Sequence, residues 1–220
     1  MKIALFYTDA YKEAEVKIKE FLNSQKDFLA LNTVKSVRAA GDAIQDILSA
    51  DFPAIIGESH CVNYSSAFAR RAMADLAFED CDSLYYRIDV KTHRTSTKFN
   101  MPNLISVERL ARYYEDDRNY FVVLYIGYDV QGFRVILSDV KFVPIKFLSW
   151  NCLTIGALGW GQIQIANANR IVVEDKNFRK SWMLTMCESL FDFYPRELTK
   201  INRRIDYFKK VQSAWQAKAD

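Results

Sequence analysis

Ala74-Asp75-Leu76-Ala77-Phe78, then Glu79-Asp80-Cys81-Asp82-Ser83, then Tyr85-Tyr86-Arg87-Ile88-Asp89-Val90-Lys91: these three runs decide how the chain is read. The third has the composition of a short strand, β-branched and aromatic with no Gly or Pro. The first reads as a strand too, and the acid-rich run between them is turn-forming. Together they predict a β-hairpin that sets Asp75 beside Asp89. Side chains alternate along a strand, so Asp89 and Lys91 share one face while Ile88 and Val90 point into a core. Two carboxylates held close repel each other and attract a dication. With an ammonium beside them they suit metal-assisted hydrolysis, the acids holding the cation and the lysine handling charge or a proton.

The triplet alone proves little. With 27 acids and 16 lysines in 220 residues, about two acid-x-Lys triplets arise by chance. At least four occur: Glu15-Val16-Lys17, Asp89-Val90-Lys91, Asp139-Val140-Lys141 and Glu174-Asp175-Lys176. The first lies on a solvated helix face and the last in a polar turn. Asp139-Val140-Lys141 competes, because residues 134–148 are also strand-like. It lacks an equally placed second acid: Asp129 falls in the turn Asp129-Val130-Gln131-Gly132.

Composition sets the bounds. Half the residues are hydrophobic and 14% aromatic, which excludes a disordered chain, and the length suits a single domain, 1–220, or a domain with a small lobe. A net charge of +3 permits an anionic partner without demanding one. Cys61, Cys81, Cys152 and Cys187 show no close pairing, so buried thiols in a reducing compartment are expected rather than zinc. Residues 1–7 are too short an apolar run for a signal peptide, and no run of about 18 apolar residues exists, so a cytoplasmic protein with no membrane segment is expected.

Along the chain, helices are expected at about 10–23, with Ala14, Ile18, Phe21 and Leu22 inward, and at 41–51, stopped by Pro53. Residues 52–64 carry Glu58, His60 and Cys61 without a clear assignment. Arg70 and Arg71 are candidate phosphate contacts. Residues 92–103 are polar, basic and irregular. A helix is expected at 104–114, with Ile105, Leu110 and Ala111 inward. The run at 119–128 reads as a central strand buried on both faces, followed by strands at 133–137 and 142–148. Gly156, Gly159 and Gly161 mark a tight loop where backbone can approach a ligand, and a strand with Gln162 and Gln164 follows. Helices are expected at 178–193 and 196–210, the second with Ile201, Ile205 and Phe208 inward and a basic face that suits phosphate.

The pattern Asp75 … Asp89-Val90-Lys91 resembles the core of the PD-(D/E)xK nucleases, with Ala74 where the motif's proline stands. The longer stretches Asp89-Val90-Lys91-Thr92, Met101-Pro102-Asn103-Leu104-Ile105-Ser106 and Gly156-Ala157-Leu158-Gly159-Trp160-Gly161-Gln162-Ile163-Gln164-Ile165 are similar to blunt-cutting type II restriction endonucleases of the HincII and HpaI kind, with EcoRV a more distant relative. The likeness spans roughly 75–210.

That resemblance implies an α/β (α+β) fold, a central mixed sheet flanked by helices, with a mostly helical part at 1–70, the catalytic core at 71–150, and the recognition loop and C-terminal helices at 151–220. It implies a homodimer that cuts double-stranded DNA at a short palindromic site with Mg²⁺, alongside a companion DNA methyltransferase. Asp75 and Asp89 would bind the metal with the Val90 carbonyl, and Lys91 would orient or activate water. Asn100, Met101 and Asn103 would approach the DNA near the centre of the site. Ala157, Leu158, Gly159, Trp160, Gly161 and Gln162 would enter the major groove, with Gln164 behind them. Arg94 and Lys98 are the expected phosphate contacts. Some relatives draw another acid from the helix before the hairpin; Gln45 stands at the comparable place, with Asp46 adjacent. Two other readings are a PD-(D/E)xK nuclease of repair or junction resolution and a DNA-binding module without catalysis.

Overall fold

The computed structural model describes residues 5–25, 36–57, 60–64, 74–175 and 177–218; Glu58, Arg70 and Arg71 lie outside them. Among the described residues are helices α1 (Ala10–Ser24), α2 (Val37–Ile56), α3 (Val107–Tyr113) and α4 (Arg179–Gln216). The strands are β1 (Asn63–Tyr64), β2 (Leu76–Glu79), β3 (Tyr85–Arg94), β4 (Asn103–Ser106), β5 (Asn119–Gln131), β6 (Arg134–Pro144), β7 (Leu153–Gly156) and β8 (Gln162–Ile165). The chain is thus mixed α/β, with a five-stranded sheet ordered β1-β2-β3-β5-β6 and a three-stranded sheet ordered β4-β8-β7.

The expected hairpin is present, and Asp80 closes it. Its Oδ1 accepts the N–H groups of Asp82 (3.0 Å) and Leu84 (2.9 Å), and its Oδ2 accepts the Tyr86 hydroxyl at 2.7 Å. This is the local side-chain turn for which Asp is selected. It fixes the antiparallel register of β2 on β3, with Leu76 opposite Ile88 and Glu79 opposite Tyr85. β3 then pairs in parallel with β5, and β4 with α3 supplies the crossover that parallel pairing requires.

β3 alternates as the sequence predicts: Tyr86, Ile88 and Val90 are buried, while Arg87, Asp89 and Lys91 are half-buried. The buried side joins an aromatic core. Tyr86 stacks on Phe78 at 4.5 Å, and Phe52 of α2 contacts Phe78 (5.9 Å) and Phe142 (6.1 Å). Phe52 is fully buried, so Phe52→Ala is expected to cost about 3–5 kcal/mol, read as a lower urea midpoint with an unchanged slope. β5 is the buried central strand expected, with nine consecutive buried residues from Tyr120 to Tyr128.

β6 lies at the edge of its sheet, and α1 covers it. Glu15 Oε1 accepts the Phe142 N–H (2.7 Å), Lys19 Nζ donates to the Ser138 carbonyl (2.8 Å), and Asn23 Oδ1 accepts the Leu137 N–H (2.9 Å). These three residues recur every four positions, so one helix face satisfies three groups of the open ladder. The same helix buries Ala14, Ile18 and Leu22 as expected, with Phe21 half-buried.

Several expectations are corrected. α2 runs through Pro53 instead of stopping before it. Proline cannot donate to the Ser49 carbonyl, and the Tyr64 hydroxyl does so instead at 2.7 Å. β3 continues to Arg94, into the segment expected to be irregular. The helix expected at 104–114 begins only at Val107, capped by Ser106, because the residues before it pair with β8; Ala111 is exposed. The two strands expected after residue 132 form one, β6, with the register shift against β5 falling at Gly127–Tyr128. The two C-terminal helices are one, α4, which includes Pro195, and Ile201, Ile205 and Phe208 are exposed rather than inward. Cys61 and Cys152 are buried and Cys81 is exposed; all four thiols are free. No described helix is long and apolar enough to cross a membrane.

Candidate active site

Asp75 sits one residue before β2, and its N–H donates to the Ile88 carbonyl at 3.0 Å, which ties it to β3 next to Asp89 although the regular register ends at Leu76 opposite Ile88. Asp75 Oδ2 accepts the Val90 N–H at 2.7 Å. Lys91 Nζ donates to Asp89 Oδ1 at 2.7 Å, with the two side chains 22% and 14% exposed. The hairpin therefore brings Asp75, Asp89 and Lys91 together, as the sequence predicts.

The other Asp89 oxygen, Oδ2, is buried and has no hydrogen-bond partner. Burial pushes the Asp89 carboxyl up to about 7; the Lys91 ammonium opposes this and the Asp75 carboxylate adds to it. A buried carboxylate oxygen without a donor, in a carboxyl that feels a second carboxylate nearby, fits a hard divalent cation. In a strand, N–H and C=O of one residue point to the same side. The Val90 carbonyl therefore points with its N–H, past the start of β2 and toward Asp75. Among the described residues no three His, Cys, Asp or Glu side chains converge on one point. A cation here would rest on Asp75, Asp89 and the Val90 carbonyl.

The competing triplet has similar local geometry, with Lys141 Nζ 3.0 Å from Asp139 Oδ1, but it stands on the edge strand with the two side chains 34% and 46% exposed. Asp129 lies on β5 opposite Ile136 rather than in the expected turn, and it pairs with Arg94 at 3.3 Å. Glu15 is the acid that approaches Asp139 and Lys141; burial raises its carboxyl while the Phe142 N–H and Lys141 lower it. Its hydrogen bond to the β6 backbone engages it in covering the sheet edge.

Asp89 opens into a groove of about 560 Å³, lined also by Ala74, Arg87, Ser106, Arg109 and Gln162. A groove of about 640 Å³ between Asn63, Glu79, Ser83 and Arg118 contains neither acid of the pair, so chemistry rather than size selects the first. Arg87 was not singled out by the sequence reading. Its guanidinium lies 4.5 Å from the Tyr113 ring centroid, and its Nε is buried without a partner. The available signal was alternation: Arg87, Asp89 and Lys91 occupy one face of β3. Arg109, in the first turn of α3, gave no such signal.

The remaining candidates fall into two groups. The loop between β7 and β8 carries Ala157, Leu158, Gly159 and Trp160 at an exposed tip, with Leu158 and Trp160 each 63% exposed. Gly159 and Gly161 adopt φ of 59° and 123°, the left-handed region that glycine enters without strain. The Gly161 carbonyl accepts the Val107 N–H, and Gln162 pairs across the small sheet with Ser106, so this hairpin is anchored beside the acids. Asn103 and Gln164 meet, Gln164 Nε2 donating to Asn103 Oδ1 at 2.6 Å. Asn100 and Pro102 hold the same strip through backbone bonds from Ala168 and Ile165, with Met101 exposed between them. Lys98 is exposed, whereas Arg94 is engaged by Asp129. His60 is half-buried in a turn and Gln45 half-buried on α2.

The raised Asp89 carboxyl has a consequence in solution. An unfolded Asp ionises near 3.9, so between about 4 and 7 the folded chain binds one more proton. The stability from that proton is complete below about pH 4 and is lost as pH rises through about 7. A cation bound to the ionised pair offsets the loss. Millimolar Ca²⁺ is therefore expected to raise the thermal midpoint at pH 8 and hardly at pH 5. In Asp89→Asn the shift should vanish at both; an undiminished shift there would place the cation elsewhere.

Compared with known proteins, the chain matches no protein-family model and no curated protein.

Proposed function

We propose that this chain is a Mg²⁺-dependent site-specific deoxyribonuclease with a PD-(D/E)xK core, acting as a homodimer on a short palindromic site in duplex DNA and leaving blunt ends. The observation that carries this reading is the cluster at the hairpin: Asp75 near Asp89 and held by the Val90 N–H, Lys91 clamped on Asp89 Oδ1, and Asp89 Oδ2 buried without a donor. Bound Mg²⁺ would offset charge on the scissile phosphate and acidify water.

The chain's own groups do the rest. The Val90 N–H fixes Asp75, and the Lys91 ammonium stands 2.7 Å from Asp89 Oδ1, where it can orient the attacking water and stabilise charge growing on the phosphate oxygens. Water oxygen bonds to phosphorus as the bond from phosphorus to the leaving sugar oxygen breaks. Arg87 and Arg109, in the groove with Asp89, supply positive charge for the backbone. A two-fold dimer matches a palindrome and gives each strand its own site. A host carrying such an enzyme needs a methyltransferase that protects the same sequence.

Sequence readout is assigned to the β7–β8 loop and to Gln162, whose amide can donate to and accept from base edges. Gln162→Ala is expected to weaken specific binding by about 1–3 kcal/mol for a lost base contact, with non-specific binding and its salt slope unchanged. Titration of the protein in Ca²⁺ against a cut-site duplex and a scrambled duplex measures this; equal losses on both would remove the loop from readout. The proposed function itself is tested by incubating plasmid DNA with the protein in Mg²⁺ or in EDTA. Discrete fragments in Mg²⁺ alone are expected, and intact plasmid in both, or a smear, would refute site-specific cleavage.

A further inference from the structure

α4 continues well past the body of the protein. From Leu198 to Gln216 its residues are exposed except Val211, which is half-buried. Yet this part is not polar all round: Leu198, Ile201, Ile205, Phe208 and Trp215 are 45–65% exposed. A helix of this length in water owes its stability to packing of an apolar face, and this face packs on none of the described residues.

The spacing says what would cover it. Leu184, Phe191, Leu198, Ile205 and Gln212 recur every seventh residue, and Cys187, Tyr194, Ile201, Phe208 and Trp215 recur three places later. These are the a and d positions of a heptad repeat, sustained beyond the roughly three to four heptads that argue for a coiled coil. The stripe lies beside the face that Trp182, Met186 and Leu190 bury against the body, so it stays open on both halves of the helix.

We infer that α4 pairs with α4 of a second copy as an antiparallel coiled coil, its two-fold axis passing between residues 199 and 200. In an antiparallel pair a residues face d residues, e faces e, and g faces g. About that axis Leu198 meets Ile201 of the second copy, Phe191 meets Phe208, and Leu184 meets Trp215. The flanking charges agree with this register. Exposed Glu188 and exposed Lys209, both at e, face each other across the interface. Glu197, which within its own chain also holds Lys200 at 2.6 Å, and Arg204, both at g, do so as well. Each contact occurs twice by symmetry. In a parallel pair e faces g, and Lys209 would instead meet Arg204, two like charges. Lys209 is committed only to a long, fully solvated contact with Asp206 (3.8 Å), so it is available.

This inference deepens the dimeric reading above by naming its surface. Oligomeric state is measured without any cleavage assay, so the two can fail separately. Sedimentation equilibrium of the full chain is expected to give a dimer, and Ile205→Glu a monomer with near-ultraviolet circular dichroism unchanged. Lys209→Glu should weaken the dimer by at least about tenfold, because it faces Glu188, and Glu188→Lys combined with Lys209→Glu should restore it. A monomer at every concentration, or a dimer that Ile205→Glu leaves intact, would overturn the assignment. Tightening by Lys209→Glu would overturn it too, in favour of parallel helices.

Discussion

Asp89→Ala is expected to lose at least about a thousandfold in Mg²⁺-dependent cleavage rate while keeping the fold. The carboxylate does two things that alanine cannot do. Its Oδ1 holds the Lys91 ammonium at 2.7 Å, and its buried Oδ2, which has no hydrogen-bond partner, is the oxygen the proposed cation would use. The fold does not depend on it: a buried carboxyl held at about 7 is a site the core tolerates rather than one that stabilises it. Alanine removes that strain, so the metal-free variant should unfold at a temperature no lower than the parent at pH 8. Single-turnover cleavage, with circular dichroism as the control, separates the two effects. A variant that still cuts near the parental rate would move the chemistry to Asp139-Val140-Lys141.

The second large effect is expected at Lys91. Lys91→Ala should lose cleavage by a similar factor, on the order of a hundredfold to a thousandfold, while retaining specific DNA binding in Ca²⁺. Ca²⁺ fills a carboxylate site yet supports this chemistry poorly through its looser coordination. The ammonium sits on Asp89 rather than at the protein surface, with 22% of its side chain exposed, so in the proposed reaction it would act at the reacting phosphate and not as a general anchor for the backbone. Loss of specific binding in Ca²⁺ by this variant would recast the lysine as a DNA contact.

What was legible in the sequence was what local chemistry fixes. The hairpin could be read because Asp80 builds its turn from its own side chain and because β3 alternates cleanly between a core face and a polar face. The sequence favoured Asp89 over Asp139 because of Asp75, and the structure does set Asp75 near Asp89, whereas Asp129, on the strand paired with β6, is engaged by Arg94. The loop glycines could be read because positive φ selects them. What was not legible depends on partners far along the chain. Pro53 stays within a helix only because Tyr64, eleven residues later, donates to the carbonyl the proline leaves open. Residues 103–106 form a strand rather than a helical turn only because β8 pairs with them, some sixty residues on. Arg94 reads as a free cation until Asp129 is folded against it. Ile201, Ile205 and Phe208 were placed inward because an apolar stripe implies a covered face; the heptad spacing carried the further information that the cover need not belong to the same chain.

The most direct measurement is sequencing of the DNA ends produced by the parent, Asp89→Asn and Asp139→Asn from one plasmid in Mg²⁺. The parent and Asp139→Asn are expected to break both strands at every copy of one palindromic sequence, and Asp89→Asn to leave the plasmid whole. Breaks scattered over unrelated sequences, or cleavage that survives Asp89→Asn and disappears in Asp139→Asn, would contradict a site-specific nuclease centred on Asp75, Asp89 and Lys91.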